Sequence, residues 1–429
     1  MKLIKSPVKG KDNSILVTGL CFLMIFTCLG FCSSNKGMYL TAITEALHLP
    51  RGLFSLNDTC RYMAAAAANM LFGTLILRCG ARKLIAAGFA FLIGSVLIQS
   101  FAESLFLFYL AGLMLGIGTA WTTTSMVGYV VGRRCAPEKR GEIMGFVLSA
   151  NGVGGALAAQ LIAPFVYSES DPFGYRIAYR MVAGILLVAG TLIVCLLHDK
   201  ETPEEREPVR KKKRGRSWEG IPFADIVHQP FFYVVLAGVC FTGMLLQGIS
   251  SCAAAHLKDV GMSASLIANV MSLHAIFLTL FKFIAGVAYD KIGLRRTIFG
   301  CQIGAVVACF LLAFANPSTN GVAFAWGFAL FVSIGLPLET IMLPLIVSDL
   351  FGENSYEKLL GIILCATNIG FAVGGPIINT VYDFAGSYVP VLIAGGLLLF
   401  MVALAFQRAL RCGEKVRTER ENMIRGEMR

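Results

Sequence analysis

Twelve apolar runs, each long enough to cross a bilayer, leave this chain little choice of fold. About 20 consecutive apolar residues span the hydrocarbon core as a helix. Runs of that kind lie near 14–36, 54–77, 83–102, 105–131, 143–166, 179–197, 231–255, 264–286, 297–315, 322–348, 358–381 and 388–407. Lipid cannot satisfy backbone polar groups, and no alternating strand pattern is present, so the runs predict helices. Composition agrees. Apolar residues make up 56% of the chain and charged residues 15%, against about 25% charged in soluble domains. A soluble fold would lack the charged surface to cover its cores. Disordered, collagen-like and nucleic-acid-binding chains are excluded on the same grounds. The expected class is an all-α, multi-pass membrane protein whose main partner is the lipid bilayer.

The formal net charge of +11 is explained by its distribution. With the N-terminus placed in the cytoplasm, inner segments hold 30 of the 37 Lys and Arg, and outer loops hold four: Arg51, Arg176, Arg180 and Lys258. Cytoplasmic loops carry such an excess of basic residues, and one missed span would invert every later loop. The expectation is a plasma (cell inner) membrane protein with both termini cytoplasmic. The first run follows Lys2, Lys5, Lys9 and Lys11 and is too long for a cleaved signal, which suggests a signal-anchor helix. The sequon Asn57-Asp58-Thr59 is expected outside, close to the membrane.

The 13 cysteines are scattered, several of them in apolar runs (Cys21, Cys195, Cys309, Cys365), and no CxxC occurs. Buried thiols packing as small hydrophobes fit this pattern. The five histidines, at 48, 198, 228, 256 and 274, have no metal-ligand spacing. No cofactor, metal or nucleic acid is expected, and the chain reads as a monomer.

Residues 198–230 form a longer polar loop with an acidic stretch (Glu201, Glu204, Glu205, Glu207) and a basic run, Arg210 to Arg216. A solvated linker carrying topology charge is the simpler reading of that run; an anionic-lipid contact is the other. The loop divides the chain into a six-span half (1–197), itself (198–230), a second six-span half (231–407) and a cytoplasmic tail (408–429). The halves repeat. Gly73-Thr-Leu-Ile-Leu-Arg78-Cys-Gly80-Ala-Arg82-Lys83 recurs, 213 residues on, as Gly286-Val-Ala-Tyr-Asp290-Lys-Ile-Gly293-Leu-Arg295-Arg296. Gly145, Ala150 and Gly154 recur at an offset of 216 as Gly361, Ala366 and Gly370. Two matches at nearly one offset predict duplicated, pseudosymmetric six-helix bundles.

The repeated G-x-x-x-D-x-x-G-x-R-R pattern resembles the signature loop of the major facilitator superfamily. Its second copy is complete, with Asp290 in place; in the first, Leu77 stands where Asp is expected. The resemblance implies the twelve-helix major facilitator fold and gating roles for Gly73, Arg82, Gly286, Asp290, Arg295 and Arg296. Pro344 to Gly352, Gly370 to Pro376 and Tyr382-Asp383-Phe-Ala-Gly386-Ser-Tyr388, with Glu45 to Arg51, are similar to the monocarboxylate and oxalate–formate transporter group. That likeness implies a substrate-carboxylate contact at Lys282, four residues before Gly286, and a contribution from Lys36 in span 1. Leu278 replaces the acidic partner expected four residues before Lys282, and span 11 has no central lysine, which argues against a dicarboxylate cargo.

Charges inside the spans point the same way. A charged side chain at a helix centre costs roughly 2.5–3.5 kcal/mol on insertion scales. Lys36, Arg61, Lys282 and Glu339 carry that cost. Lys36 and Arg61 can snorkel; Lys282 lies deeper, and Glu339 sits beside Gly335 and Pro337, where a broken helix would expose carbonyls. Three cations and one carboxylate leave about +2, which a bound anion would compensate. Trp121, Gln247 and Asn368 complete the expected binding set, while His274 reads more simply as packing than as a proton relay. The function expected is secondary active transport of a small organic anion, a monocarboxylate, with a possible coupled proton. The alternatives are an efflux carrier for an amphipathic compound and a transporter-like sensor. No nucleophile–base pair or phosphate-binding loop suggests an enzyme.

Overall fold

The protein is described by a computed structural model over residues 13–135, 140–168, 170–197, 222–352 and 355–427. The acidic stretch, the basic run at 210–216 and His198 lie outside the described residues. Twelve helical segments are long and apolar enough to cross a membrane: span 1 Ile15–Ala46, span 2 Arg51–Cys79, span 3 Ala81–Phe101, span 4 Leu105–Arg134, span 5 Arg140–Val166, span 6 Gly174–Leu196, span 7 Pro230–Asp259, span 8 Ala264–Ile292, span 9 Leu294–Ala313, span 10 Thr319–Glu339, span 11 Lys358–Ala385 and span 12 Val389–Glu419. Twelve crossings return the chain to its starting side. The side holding both chain ends is called the terminal face here, and the other the far face.

Repetition is visible in the backbone. Spans 2 and 3 join at Gly80 (φ 82, ψ 162) and spans 8 and 9 at Gly293 (φ 82, ψ 167). That left-handed bend favours glycine, and it recurs at the 213-residue offset seen in the sequence. Small residues of span 5 serve close packing. A side chain on Gly154 would collide with the Phe26 carbonyl of span 1, and one on Gly370 with the Cys240 carbonyl of span 7. Span 5 therefore lies on span 1 as span 11 lies on span 7, and the chain forms two pseudosymmetric six-helix bundles.

Three spans are interrupted, and the interruptions place polar groups at mid-depth. Span 1 carries a π-helical turn (Phe26–Phe31), a 3₁₀ turn (Lys36–Met38) and a last helix, Tyr39–Ala46. It runs ten residues past its expected end, so Lys36 sits at an internal break and not at a snorkelling terminus. Span 4 breaks at Thr123 (φ −118, ψ −136). Span 10 breaks after Gly335 into a 3₁₀ turn, Leu336–Glu339, and resumes at Met342–Phe351. Thr123 and Glu339 are 216 residues apart, so these two breaks are repeat-related. Irregular backbone at this depth is tolerated where it is buried in protein or lines a cavity.

The bundles meet in their far halves. Span 2 residues 52–62 touch span 11 residues 371–383, and span 5 residues 152–160 touch span 8 residues 269–279. On the terminal side of these contacts Met70, Phe146 and Phe283 are exposed.

Candidate functional site

In the first bundle the break in span 1 presents Lys36 to span 2. Its ammonium lies 2.7 Å from Asp58 Oδ1 and donates also to Asn57 Oδ1. Arg61, one helical turn from Asp58 on the same helix face, brings Nε to 3.3 Å from the same carboxylate oxygen. Its Nη1 donates to Ser33 Oγ at 2.9 Å, and the guanidinium lies 4.4 Å from the centre of the Tyr62 ring. Arg61 is buried, at 6% exposed, and the Lys36 and Asp58 side chains are half-buried, at 12% and 15%. Neither cation snorkels, which corrects the sequence expectation. Asp58 and its sequon belong to the interior of span 2, where the Thr59 hydroxyl donates to the Ala372 carbonyl across the bundle interface. Counting Asp58, the five charges at mid-depth (Lys36, Asp58, Arg61, Lys282 and Glu339) sum to +1 rather than +2; the other charges of the spans lie nearer their ends.

The second bundle is different. His274 Nδ1 lies 2.9 Å from Ser333 Oγ, and Ser333 in turn donates to the Ala329 carbonyl. This is the packing role expected of His274, and it fixes the register of spans 8 and 10, which run in the same direction. Lys282 lies eight residues onward from His274, and Glu339 six from Ser333. At about 1.5 Å per residue the two charges reach nearly the same depth. They form no ion pair with each other. Among the described residues Lys282 has no ion-pair partner at all. Glu339 is buried with Oε1 unpartnered, and Trp121 Nε1, in the other bundle beside the span-4 break, is likewise unpartnered. Glu339 is within electrostatic reach of Tyr62, which sets it opposite the Arg61 cluster. Gln247 and Asn368 are half-buried. Asn35 and Asn151 are occupied structurally: Asn35 donates to the Gly155 carbonyl and Asn151 accepts from Ser34, whereas the side chains of Thr242, Ser250 and Gln302 are unpartnered among the described residues.

A far-face gate escaped the sequence reading. Arg51, counted there as a loop charge, starts span 2 and donates from both terminal nitrogens to Asp259 of span 7, at 2.5 and 2.8 Å. The backbone N–H groups of Arg51 and Gly52 donate to the two oxygens of Asp383 in span 11, at 2.9 and 2.8 Å. The Arg51 guanidinium stacks 4.1 Å from the Tyr382 ring centre. Lys258 reaches Glu45 at 2.5 Å, and Asn379 donates to Ser55 Oγ at 2.9 Å. These contacts all join one bundle to the other. The quoted stretches Glu45–Arg51 and Tyr382–Tyr388 held this signal, but nothing in them pairs residues more than 200 positions apart.

The expected terminal-face residues do not form a matching latch. Arg295 pairs with Glu414 of the tail at 2.8 Å and not with Asp290, which is exposed. Arg296 is exposed, and Arg82 Nε donates to the Val194 carbonyl at 2.7 Å. Gly73 and Gly286 lie in open space; the demanding glycines are Gly80 and Gly293. Among the described residues these groups contact only their own bundle.

A groove of about 640 Å³ is lined by apolar residues of spans 1, 5 and 6, including the exposed Leu161 and Val188, and holds none of the charges. Two bundles closed at one face, with interrupted helices and unpaired charges at mid-depth, describe a carrier. The family model of the Major Facilitator Superfamily matches residues 20–257 and 241–422. The chain belongs to the Major Facilitator Superfamily. It is accordingly a transporter and not an enzyme. An uncharacterized MFS-type transporter of Escherichia coli (strain K12), YhjX, is 23% identical over 78% of this chain and 79% of its own length. Monocarboxylate transporter 12-B of Danio rerio is 24% identical over 82% of this chain and 78% of its own length. The crystal structure of the nucleoside transporter NupG (D323A mutant) superposes with a TM-score of 0.76 at 12% identity, covering 92% of this chain and 99% of that one, and shows the shared fold.

Proposed function

We propose that this superfamily member moves a small organic anion, a monocarboxylate, across the plasma (cell inner) membrane by alternating access, with a coupled proton. The observation that carries the reading is Lys282, a cation within a span with no ion-pair partner among the described residues. A charge so placed is costly, and a substrate carboxylate would compensate it. The five mid-depth charges leave a net +1, which a monoanion would compensate. Glu339, Gln247, Asn368 and Trp121 offer unpaired polar groups around the same depth, whereas Lys36 and Arg61 are engaged by Asp58 and become available only when it releases them. Far-face closure supports a cycle in which one bundle rocks against the other around a midplane site, with Gly73, Arg82, Gly286, Asp290, Arg295 and Arg296 acting at the opposite gate. The basic bias of the terminal side supports cytoplasmic termini, and the 213- and 216-residue repeat offsets support bundles at 1–197 and 231–407 joined by the 198–230 linker.

The test is uptake of radiolabelled monocarboxylates into proteoliposomes by wild type and Lys282→Gln. Saturable uptake lost in the variant supports the proposal. Uptake of an amphipathic cation with no carboxylate carried would replace it with the efflux reading, which the 26% identity over 64% of the chain to a Fujikurins efflux protein of Gibberella fujikuroi also favours.

A further inference from the structure

We infer that Asp58 is the seat of the coupled proton, and that substrate carboxylate and Asp58 carboxylate exchange places on Lys36 and Arg61. This rests on the anion reading above and adds a residue and a mechanism to it. One oxygen of Asp58 holds both cations, at 2.7 Å from Lys36 Nζ and 3.3 Å from Arg61 Nε. While Asp58 is ionised, an incoming carboxylate meets a pair of cations already occupied, and a negative charge beside them. A proton delivered to Asp58 from the aqueous cleft removes that charge. The two cations then lack a counter-ion in a buried site, where uncompensated charge is most costly. A substrate carboxylate, drawn in by Lys282, which is unpaired among the described residues, restores the balance by taking over the Lys36 hydrogen bond and the Arg61 ion-pair contact that Asp58 gives up. No covalent bond is made or broken in the substrate. One proton and one anion enter together, and on release the carboxylate leaves as Asp58 loses the proton and recaptures Lys36 and Arg61. The exchange is electroneutral, one proton to one monoanion.

The surroundings of Asp58 make it the carboxyl suited to this. Span 1 contributes Lys36, with Cys32 and Ser33 beside Arg61. Span 2 itself contributes Asn57, Cys60, Arg61 and Tyr62, and span 6 contributes Tyr179. Span 4 approaches with the glycines 112 and 116 against the Asn57 and Arg61 carbonyls, and span 11 with Phe371 and Ala372. Across the interface the charged group is Glu339, near Tyr62. Glu339 holds no cation, so its gain or loss of a proton frees none for the substrate. Asp58 also lies one and two turns below Ser55 and Arg51, the gate residues of the same helix. A shift of span 2 on release of Lys36 reaches the gate through that rigid helix.

The experiment uses the full chain in proteoliposomes with radiolabelled acetate, pyruvate, lactate and benzoate. In wild type, an inward-acidic or outward-acidic pH gradient should set the direction of net accumulation, and an imposed membrane potential should not. Asp58→Asn should lose gradient-driven accumulation by about tenfold or more, while exchange of internal for external anion remains above that of empty liposomes. Its apparent affinity should lose the increase toward acid pH expected of wild type, because the linked proton is gone. Glu339→Gln should keep the response to the gradient, whatever its rate. If Asp58→Asn fails to fold, Lys36→Met combined with Asp58→Asn removes the unbalanced charge and should likewise show no gradient response. Gradient-driven accumulation in Asp58→Asn or the double variant, or accumulation in wild type that follows the potential, overturns the inference. If wild type carries none of the four anions in any mode, the anion reading itself fails and this inference with it. Carboxylate exchange in wild type with an unaltered pH response in the variants rejects Asp58 alone.

Discussion

The guanidinium of Arg51 and the carboxylate of Asp259 form a two-pronged ion pair across the bundle interface at the far face, with contacts of 2.5 and 2.8 Å. The Arg51 side chain is 7% exposed and that of Asp259 is 20% exposed. Planar two-point pairing adds geometric specificity as well as energy, and here it links helices that must separate if the far face is to open.

Neutralising this pair should destabilise the far-closed state. Truncating one partner of a buried, hydrogen-bonded charge pair costs about 2–5 kcal/mol. Asp259→Asn or Arg51→Gln should therefore raise far-side labelling of a cysteine placed at Asn379 by a membrane-impermeant thiol reagent, measured in a variant whose native reactive cysteines are replaced. The neighbouring Lys258–Glu45 contact is more exposed, with side chains at 30% and 52%. Exposed pairs are worth about 0–1 kcal/mol, so Glu45→Ala should change labelling little. Equal labelling in wild type and Asp259→Asn would show that this pair does not hold the gate.

Much of the fold was legible because hydropathy and charge bias are properties of whole segments. The repeat was legible for a related reason: a backbone bend such as Gly80 demands one residue type, and its copy at Gly293 demands it again. The site was legible only in part. Lys36, Arg61, Lys282 and Glu339 stand out because each is a charge in an apolar run. Asp58 lies as deep, yet it follows Asn57 near a span end and reads as a loop residue. Arg51 follows Pro50 and reads the same way. What each pairs with depends on helix breaks and on contacts between spans far apart in sequence, such as Arg51 with Asp259, and hydropathy carries no record of these. The Arg295–Glu414 pair was invisible for the same reason, since its partners lie 119 residues apart.

Gly154 offers a check on the packing. Its Cα approaches the Phe26 carbonyl so closely that any side chain must displace backbone. Gly145, one repeat element earlier on span 5, faces open space. Overpacking a close contact costs typically 1–3 kcal/mol, so Gly154→Val should lower the melting temperature in detergent markedly. Gly145→Val should fall within about ±0.5 kcal/mol, as surface changes usually do. Similar melting curves for the two variants would contradict the close span 1–span 5 contact.

Asp290 is exposed and unpaired with Arg295 in this far-closed arrangement, so the gating role proposed for it falls in the opposite state of the cycle. Asp290→Asn should leave thermal stability nearly unchanged yet slow net transport well beyond the effect of Leu77→Ala, its counterpart in the other half. Stability and flux measured on the same preparations separate the two effects. Equal transport by both variants would argue that the two halves use their signature loops alike, despite the missing acid in the first.

Lys282 is the most demanding prediction for the site. Its ammonium is a mid-depth cation without an ion-pair partner among the described residues, whereas Lys36 and Arg61, at similar depth in the other bundle, share Asp58. If it meets the substrate carboxylate, removing its charge leaves that carboxylate uncompensated in a low-dielectric site, at a cost of about 2–5 kcal/mol. At 1.4 kcal/mol per tenfold this is roughly 30- to several-thousand-fold in affinity. Lys282→Gln should therefore show no saturable uptake at micromolar to millimolar anion, while inserting normally, since losing an unpaired charge from a span relieves an insertion cost. Lys282→Arg keeps the charge but changes a compact ammonium for a planar fork, and should retain part of the activity with altered preference among monocarboxylates. Because Lys282 and Glu339 are not paired, the double neutral variant Lys282→Gln, Glu339→Gln should not regain transport; recovery would instead reveal a structural ion pair formed during the cycle. A well-inserted Lys282→Gln protein that carries its anion at the wild-type rate would move the binding site to the Lys36–Arg61 side alone.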